Sequence, residues 1–149
     1  MMRLLLVVAL GAAAVLPQNT DTAADLESEY IRMLSKWSGY REQAVRAWRQ
    51  QVGAYTELAP MLLISRRANI PPGELIRQRD RGMTWGDIAR DRKIRTIGTD
   101  FIDESNLFIL AQHYRRSLEE VRAVRRADMS LLQLNEQLQR ARKQTPAGP

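Results

Sequence analysis

Beyond residue 24, apolar residues recur every three or four positions along this chain. Nowhere do they alternate long enough to make one face of a strand. That periodicity predicts an all-α fold, a compact helical bundle. Leu26, Tyr30, Met33 or Leu34, Trp37, Ala44 and Trp48 form one stripe, which predicts a long helix over residues 25–57. Gly39 and Gly53 lie inside it and cost about 1 kcal/mol each against Ala, so a bend is expected near either.

Punctuation divides the rest. Ala59-Pro60 opens a helix carrying Met61, Leu62, Leu63, Ile64 and Ala68, which Ile70-Pro71-Pro72-Gly73 breaks. A short helix follows from Glu74 to Arg81, with Gly82 as its left-handed cap. Thr84, with Asp87 three residues on, caps a third helix whose inward face is Trp85, Ile88 and Ala89. Residues 93–104 read as an irregular connector. Helical spacing resumes from Leu107 to Tyr114. Ser117-x-x-Glu120 and Ser130-x-x-Gln133 are capping boxes in front of two more apolar runs. Residues 145–149 read as a disordered tail.

A shift of 46 residues superimposes the two halves. Met61 to Ile64 fall on Leu107 to Leu110, Glu74 on Glu120, Leu75 on Val121, Arg79 on Arg125, Met83 on Met129, and Ile88 on Leu134. What agrees is the order of caps and apolar positions, as in a repeated helical unit. The expected architecture is one long N-terminal helix packed on two similar three-helix units, unit A at 59–92 and unit B at 105–144, in a single domain over 25–144. Trp37 and Trp48 would pack against both units, and Trp85 would sit in the core of unit A.

Residues 1–24 have the order of a secretory signal: Met1-Met2-Arg3, an uncharged run from Leu4 to Leu16, Pro17, then polar residues. The run is shorter than the roughly 20 residues a membrane span needs. Cleavage fits after Ala14 or after Ala24, and the reading favours the second. The alternative is an uncleaved N-terminal anchor in the inner membrane. Export places the protein in the periplasm or outside the cell.

Composition narrows the chemistry. The chain has no Cys and one His, His113, so disulfides, thiolate nucleophiles and the usual zinc sites are excluded. No glycine-rich phosphate loop occurs. Asp100-x-x-Asp103-Glu104 is the one carboxylate cluster for which the sequence offers no plain role. No cofactor, metal, catalytic residue or small-molecule substrate is expected.

Charge is uneven. Residues 61–95 hold nine bases and four acids, and 107–126 hold five bases and two acids. The residues expected to meet an anionic partner are Arg66, Arg67, Arg77, Arg79, Arg81, Arg90, Arg92, Lys93 and Arg95, repeated by Arg115, Arg116 and Arg122 in the second unit. No exposed aromatic residues are expected among them, which argues against stacking on bases.

Gly82-Met83-Thr84-Trp85-Gly86-Asp87-Ile88-Ala89-Arg90 resembles the opening helix of the helix-turn-helix unit in bacterial resolvase-type and regulator proteins. The stretch from Glu74 to Ala89 also resembles a pattern in small, signal-bearing, helical bacterial proteins of uncharacterised function. The resemblance covers about 30 residues and implies a local fold. Asp91-Arg92-Lys93-Ile94 stands where a DNA reader has its glycine-bearing turn, and Thr96-Ile97-Gly98-Thr99 is a poor recognition helix, so no DNA-reading activity is carried over.

The expected function is therefore an exported, non-enzymatic interaction or scaffold module of the bacterial envelope with a protein partner. The alternative is an electrostatic binder of anionic polymers such as nucleic acid, acidic glycan or lipid head groups.

Overall fold

The computed structural model describes residues 22–95 and 100–144, and among these every regular element is helical. The expected leader through residue 21, the segment Thr96-Ile97-Gly98-Thr99 and the tail 145–149 lie outside the described residues. Eight α-helices follow in order: α1 (Ala23–Ser38), α2 (Glu42–Gln51), α3 (Leu58–Ala68), α4 (Pro72–Asp80), α5 (Trp85–Asp91), α6 (Phe101–Tyr114), α7 (Leu118–Val124) and α8 (Leu131–Gln144), with a 3₁₀ turn at Tyr55–Glu57.

The long helix expected over 25–57 is instead a hairpin. Gly39 turns into the left-handed region at φ 80° while its N–H still bonds the carbonyl of Ser35. The Ser35 hydroxyl donates to the carbonyl of Tyr40 at 2.7 Å and closes the corner. α2 then runs back along α1, where Arg49 meets Glu27 at 2.6 Å and Arg46 reaches Ser28. Gly53, also at positive φ, ends the hairpin. The stripe through Trp37 and Trp48 is thus shared between two helices.

The start of α6 also differs from expectation. The Asp100 carboxylate accepts the N–H groups of Ile102 and Asp103, so the helix begins six residues before Leu107 and takes in the last four residues of the expected connector. Asp103 and Glu104 occupy its first turn, where the positive end of the helix dipole favours acids. α1 has a cap the sequence reading did not name. Thr22 and Asp25 exchange bonds in a capping box, and this draws the Asp25 carboxyl below its ordinary pKa.

α3 and α6 pack against each other at the centre, and α1 lies across both. α4 and α5 pack on α3, α7 packs on α6, and α8 lies against both α1 and α6. The core holds Leu34, Leu62, Ile64, Leu75, Ile88, Ile109, Leu110 and Leu134, all fully buried. One polar knot runs through it. The buried Tyr30 hydroxyl donates to Asn106 Oδ1, and the Asn106 amide donates to the carbonyls of Thr56 (2.9 Å) and Ile102 (2.7 Å). Every polar atom of that pair has a partner, so the knot joins α1, the 3₁₀ turn and α6 without leaving an orphan.

Several caps recur at the 46-residue offset. α3 ends at Asn69 (φ 54°, ψ 47°) and α6 at Arg115 (φ 55°, ψ 47°), both left-handed. The next residue in each case bonds five residues back, Ile70 to Ser65 and Arg116 to Ala111. Thr84 and Ser130 both sit ahead of the third helix. Thr84 accepts the N–H of Asp87, and Ser130 accepts the N–H of Gln133.

Candidate interaction surface

Arg66 and Arg67 leave α3 in its last turn, where the carbonyl end of the dipole suits cations. Each lies on an aromatic ring from a neighbouring helix. The Arg66 guanidinium stands 4.5 Å from the Trp37 ring centroid on α1, and that of Arg67 stands 5.0 Å from Phe108 on α6. Both distances are within the range in which the ring quadrupole attracts a cation. Arg66 also donates to the Trp37 carbonyl at 2.8 Å, and the Trp37 indole N–H donates to Gln112 Oε1 at 3.0 Å. The indole is thus held from both units, as expected of Trp37. These residues and Leu63 surround a shallow depression of about 200 Å³. A smaller one adjoins it, where Arg95 and Glu104 flank Arg67 and Phe108.

The depression is a seam among α1, α3 and α6. Its cations are exposed and its two rings half-buried, so apolar faces and charges are presented together. The aromatic residues beside these cations are half-buried rather than exposed. The partners lie far away in sequence, and only the packing of α3 between α1 and α6 brings them together. Trp37 and Phe108 are the site residues that spacing alone assigned to the interior.

The remaining candidates scatter. Arg79 is not on an exposed basic face. It is half-buried, pairs with Glu57 at 3.0 Å, donates to the Met83 carbonyl at 2.9 Å and stands 5.3 Å from the Trp85 ring. Arg122 meets Glu104 at 2.5 Å, Arg116 meets Glu120 at 3.8 Å, and Arg90 meets Asp87 at 3.0 Å. Arg77, Arg81, Arg92, Lys93, Arg95 and Arg115 are exposed and have no carboxylate partner among the described residues. Lys93 adopts φ 56° and closes α5.

The unexplained carboxylates also find roles. Asp100 caps α6, Asp103 binds Arg125 at 2.6 Å, and Glu104 binds Arg122. Trp85 is 2% exposed, and its indole N–H donates to Glu57 Oε2 at 2.8 Å, so it is a core residue, as is the buried Ile88. Trp48 packs edge-on against Tyr40 with centroids 5.0 Å apart, and the Tyr40 hydroxyl meets Ser65 on α3 at 2.9 Å. Ser117 and Glu120 form the expected capping box, which lowers the Glu120 pKa.

No protein-family model, curated protein or solved structure matches this chain. Among the described residues no helix is long and apolar enough to cross a membrane.

Proposed function

We propose that this chain is an exported interaction protein of the bacterial envelope, which docks a partner protein on the α1–α3–α6 seam. The observation that carries the reading is the pair of stacked cations, Arg66 on Trp37 and Arg67 on Phe108. Arginine and aromatic side chains dominate the energetics of protein interfaces, because they desolvate large area while keeping directional donors. Stacking fixes the guanidinium planes beforehand, so less side-chain entropy is lost on binding. A partner suited to this surface places carboxylates against Arg66, Arg67 and Arg95, and an apolar side chain between the two rings.

Export rests on the sequence of residues 1–24. Ala23 and Ala24 belong to the first turn of α1, which Thr22 caps. Cleavage ahead of Thr22, such as after Ala14, keeps that cap, whereas cleavage after Ala24 removes it. N-terminal sequencing of exported material is expected to find Val15 first. Asp25 as the first residue would mean that the cap is dispensable.

The docking reading is tested by photocrosslinking in exporting cells. A benzophenone side chain at position 112, on the seam, should give a discrete protein adduct, and one at position 77, on α4, should not. No adduct from position 112 would overturn the reading. A second reading, sequence-blind binding of a polyanion, is favoured by the cations without carboxylate partners. It requires retention on heparin that falls steeply with salt.

A further inference from the structure

The last helix of unit B is 14 residues long, against seven for α5. Its added turns lie along α1 and close a cleft of about 390 Å³ beside the end of α6. Lys36 enters from the last turn of α1, His113 from that of α6, and Arg142 and Lys143 from that of α8. Met33 and Tyr114 provide an apolar wall. Tyr114 is fixed by donating its hydroxyl proton to Asn135 at 2.8 Å, and the His113 ring meets it edge-on with centroids 4.8 Å apart.

Charge in the cleft is one-sided. Its single carboxylate, Glu29, is bound by Arg32. Asp25 and Glu136 line only the adjoining groove, where Asp25 caps α1 and Glu136 binds Arg140. Lys36, Arg142 and Lys143 have no carboxylate partner among the described residues. Partial burial first, and then the charges of Arg142 and Lys36, hold His113 below its ordinary pKa. Cations in a last turn offset the helix dipole. α8 directs two such cations into this space, which Lys36 of α1 also lines.

We propose that the cleft between α1, α6 and α8 binds a compact dianion of the phosphate class, with Lys36, Arg142 and Lys143 as its cationic ligands and His113 as a further donor. The rim is open and one wall is apolar, so the anion can be free phosphate or the end group of a small phosphomonoester. The site shares no residue with the α1–α3–α6 seam and stands independently of it.

His113 is the chain's one histidine, so its imidazole resonances report on the site without ambiguity. They should be titrated by NMR on the full chain in chloride, in inorganic phosphate and in glycerol phosphate, at matched ionic strength. A bound dianion stabilises the imidazolium, so the titration should move to higher pH in both phosphate arms. A larger effect of glycerol phosphate would assign the apolar wall to an organic moiety, and a larger effect of inorganic phosphate would assign the site to the free ion. Arg142→Gln and Lys36→Gln should each weaken the phosphate dependence about tenfold. Arg77→Gln, outside the cleft, should leave it unchanged, and circular dichroism of each variant checks folding. Identical titration curves in chloride and both phosphates would overturn the proposal. So would an undiminished shift in a folded Arg142→Gln/Lys143→Gln variant.

Discussion

Units A and B share one frame and put it to different uses. In each, a long first helix ends in a left-handed residue, at Asn69 and Arg115, and buries Leu75 or Val121 and Ile88 or Leu134 at equivalent depths. Each also carries an ion pair that spans 22 residues, Glu57 with Arg79 and Asp103 with Arg125. These two pairs are themselves 46 residues apart. They differ in surroundings. Glu57 also accepts the Trp85 indole, whereas Leu131 stands at the corresponding place in unit B and has no donor to give. At the ends of the first helices, Arg66 and Arg67 in unit A correspond to Gln112 and His113 in unit B. The third helix stops at Asp91 in unit A and continues to Gln144 in unit B. Caps and buried positions hold the frame, and the exposed positions at the same register carry whatever distinguishes the two surfaces.

The largest expected difference between the units is at the start of their third helices. Trp85→Ala should cost about 3–5 kcal/mol and Leu131→Ala about 2–3 kcal/mol in denaturant unfolding. The first change also strips Glu57 of a donor. Equal losses would mean that the Glu57 network adds nothing to unit A. Next come the two ion pairs. Glu57→Gln should cost about 1–2 kcal/mol, because it weakens both the Arg79 pair and the indole bond. Asp103→Asn should cost less than about 1 kcal/mol, since that pair is about a third exposed on both sides and is screened. A reversed order would contradict the account of what Trp85 adds.

The caps should behave alike in both units. Thr84→Ala in unit A and Ser130→Ala in unit B should each lose about 1 kcal/mol, while Ser28→Ala stays within about 0.5 kcal/mol. The smallest difference is at the left-handed residues. Arg115→Gly should stabilise by a few tenths to about 1 kcal/mol, and Asn69→Gly by less, because Asn already tolerates that region. A pH scan distinguishes His113 from its unit A counterpart, Arg67. Its folded pKa lies below the unfolded value, so the unfolded chain binds the proton more tightly. Its contribution is fully present above the unfolded value of about 6.5 and is lost as pH falls through the folded one. His113→Gln should remove that part of the acid destabilisation, as followed by thermal unfolding between pH 7.5 and pH 5.

Much of this frame was legible in the sequence because it is written in local signals. The capping boxes, the Pro71-Pro72 break, Gly82 and the apolar offset of 46 all act within a few residues of where they are read. At Gly39 a bend was legible but the full reversal was not, since glycine inside a helix costs only about 1 kcal/mol. The hairpin is fixed by Glu27 with Arg49, 22 residues apart, and by Ser35 with Tyr40 across the corner. Asp100 reads as a turn residue until its carboxylate is seen to cap α6. The repeated ion pair was half visible, because Arg79 falls on Arg125. Its acids, Glu57 and Asp103, lie ahead of the apolar run from which the offset was read. The seam was the least legible, because Trp37, Arg66, Arg67 and Phe108 come from three helices and meet only in the packed structure.

The central claim is that this seam, and not the basic surface at large, makes the protein an interaction module. It is tested most directly by the yield of the position 112 photoadduct in two folded variants of equal charge. Arg66→Gln/Arg67→Gln should abolish the adduct, and Arg77→Gln/Arg81→Gln should leave it at the wild-type level. Equal reduction in both variants would contradict the account and make the binding a matter of total charge.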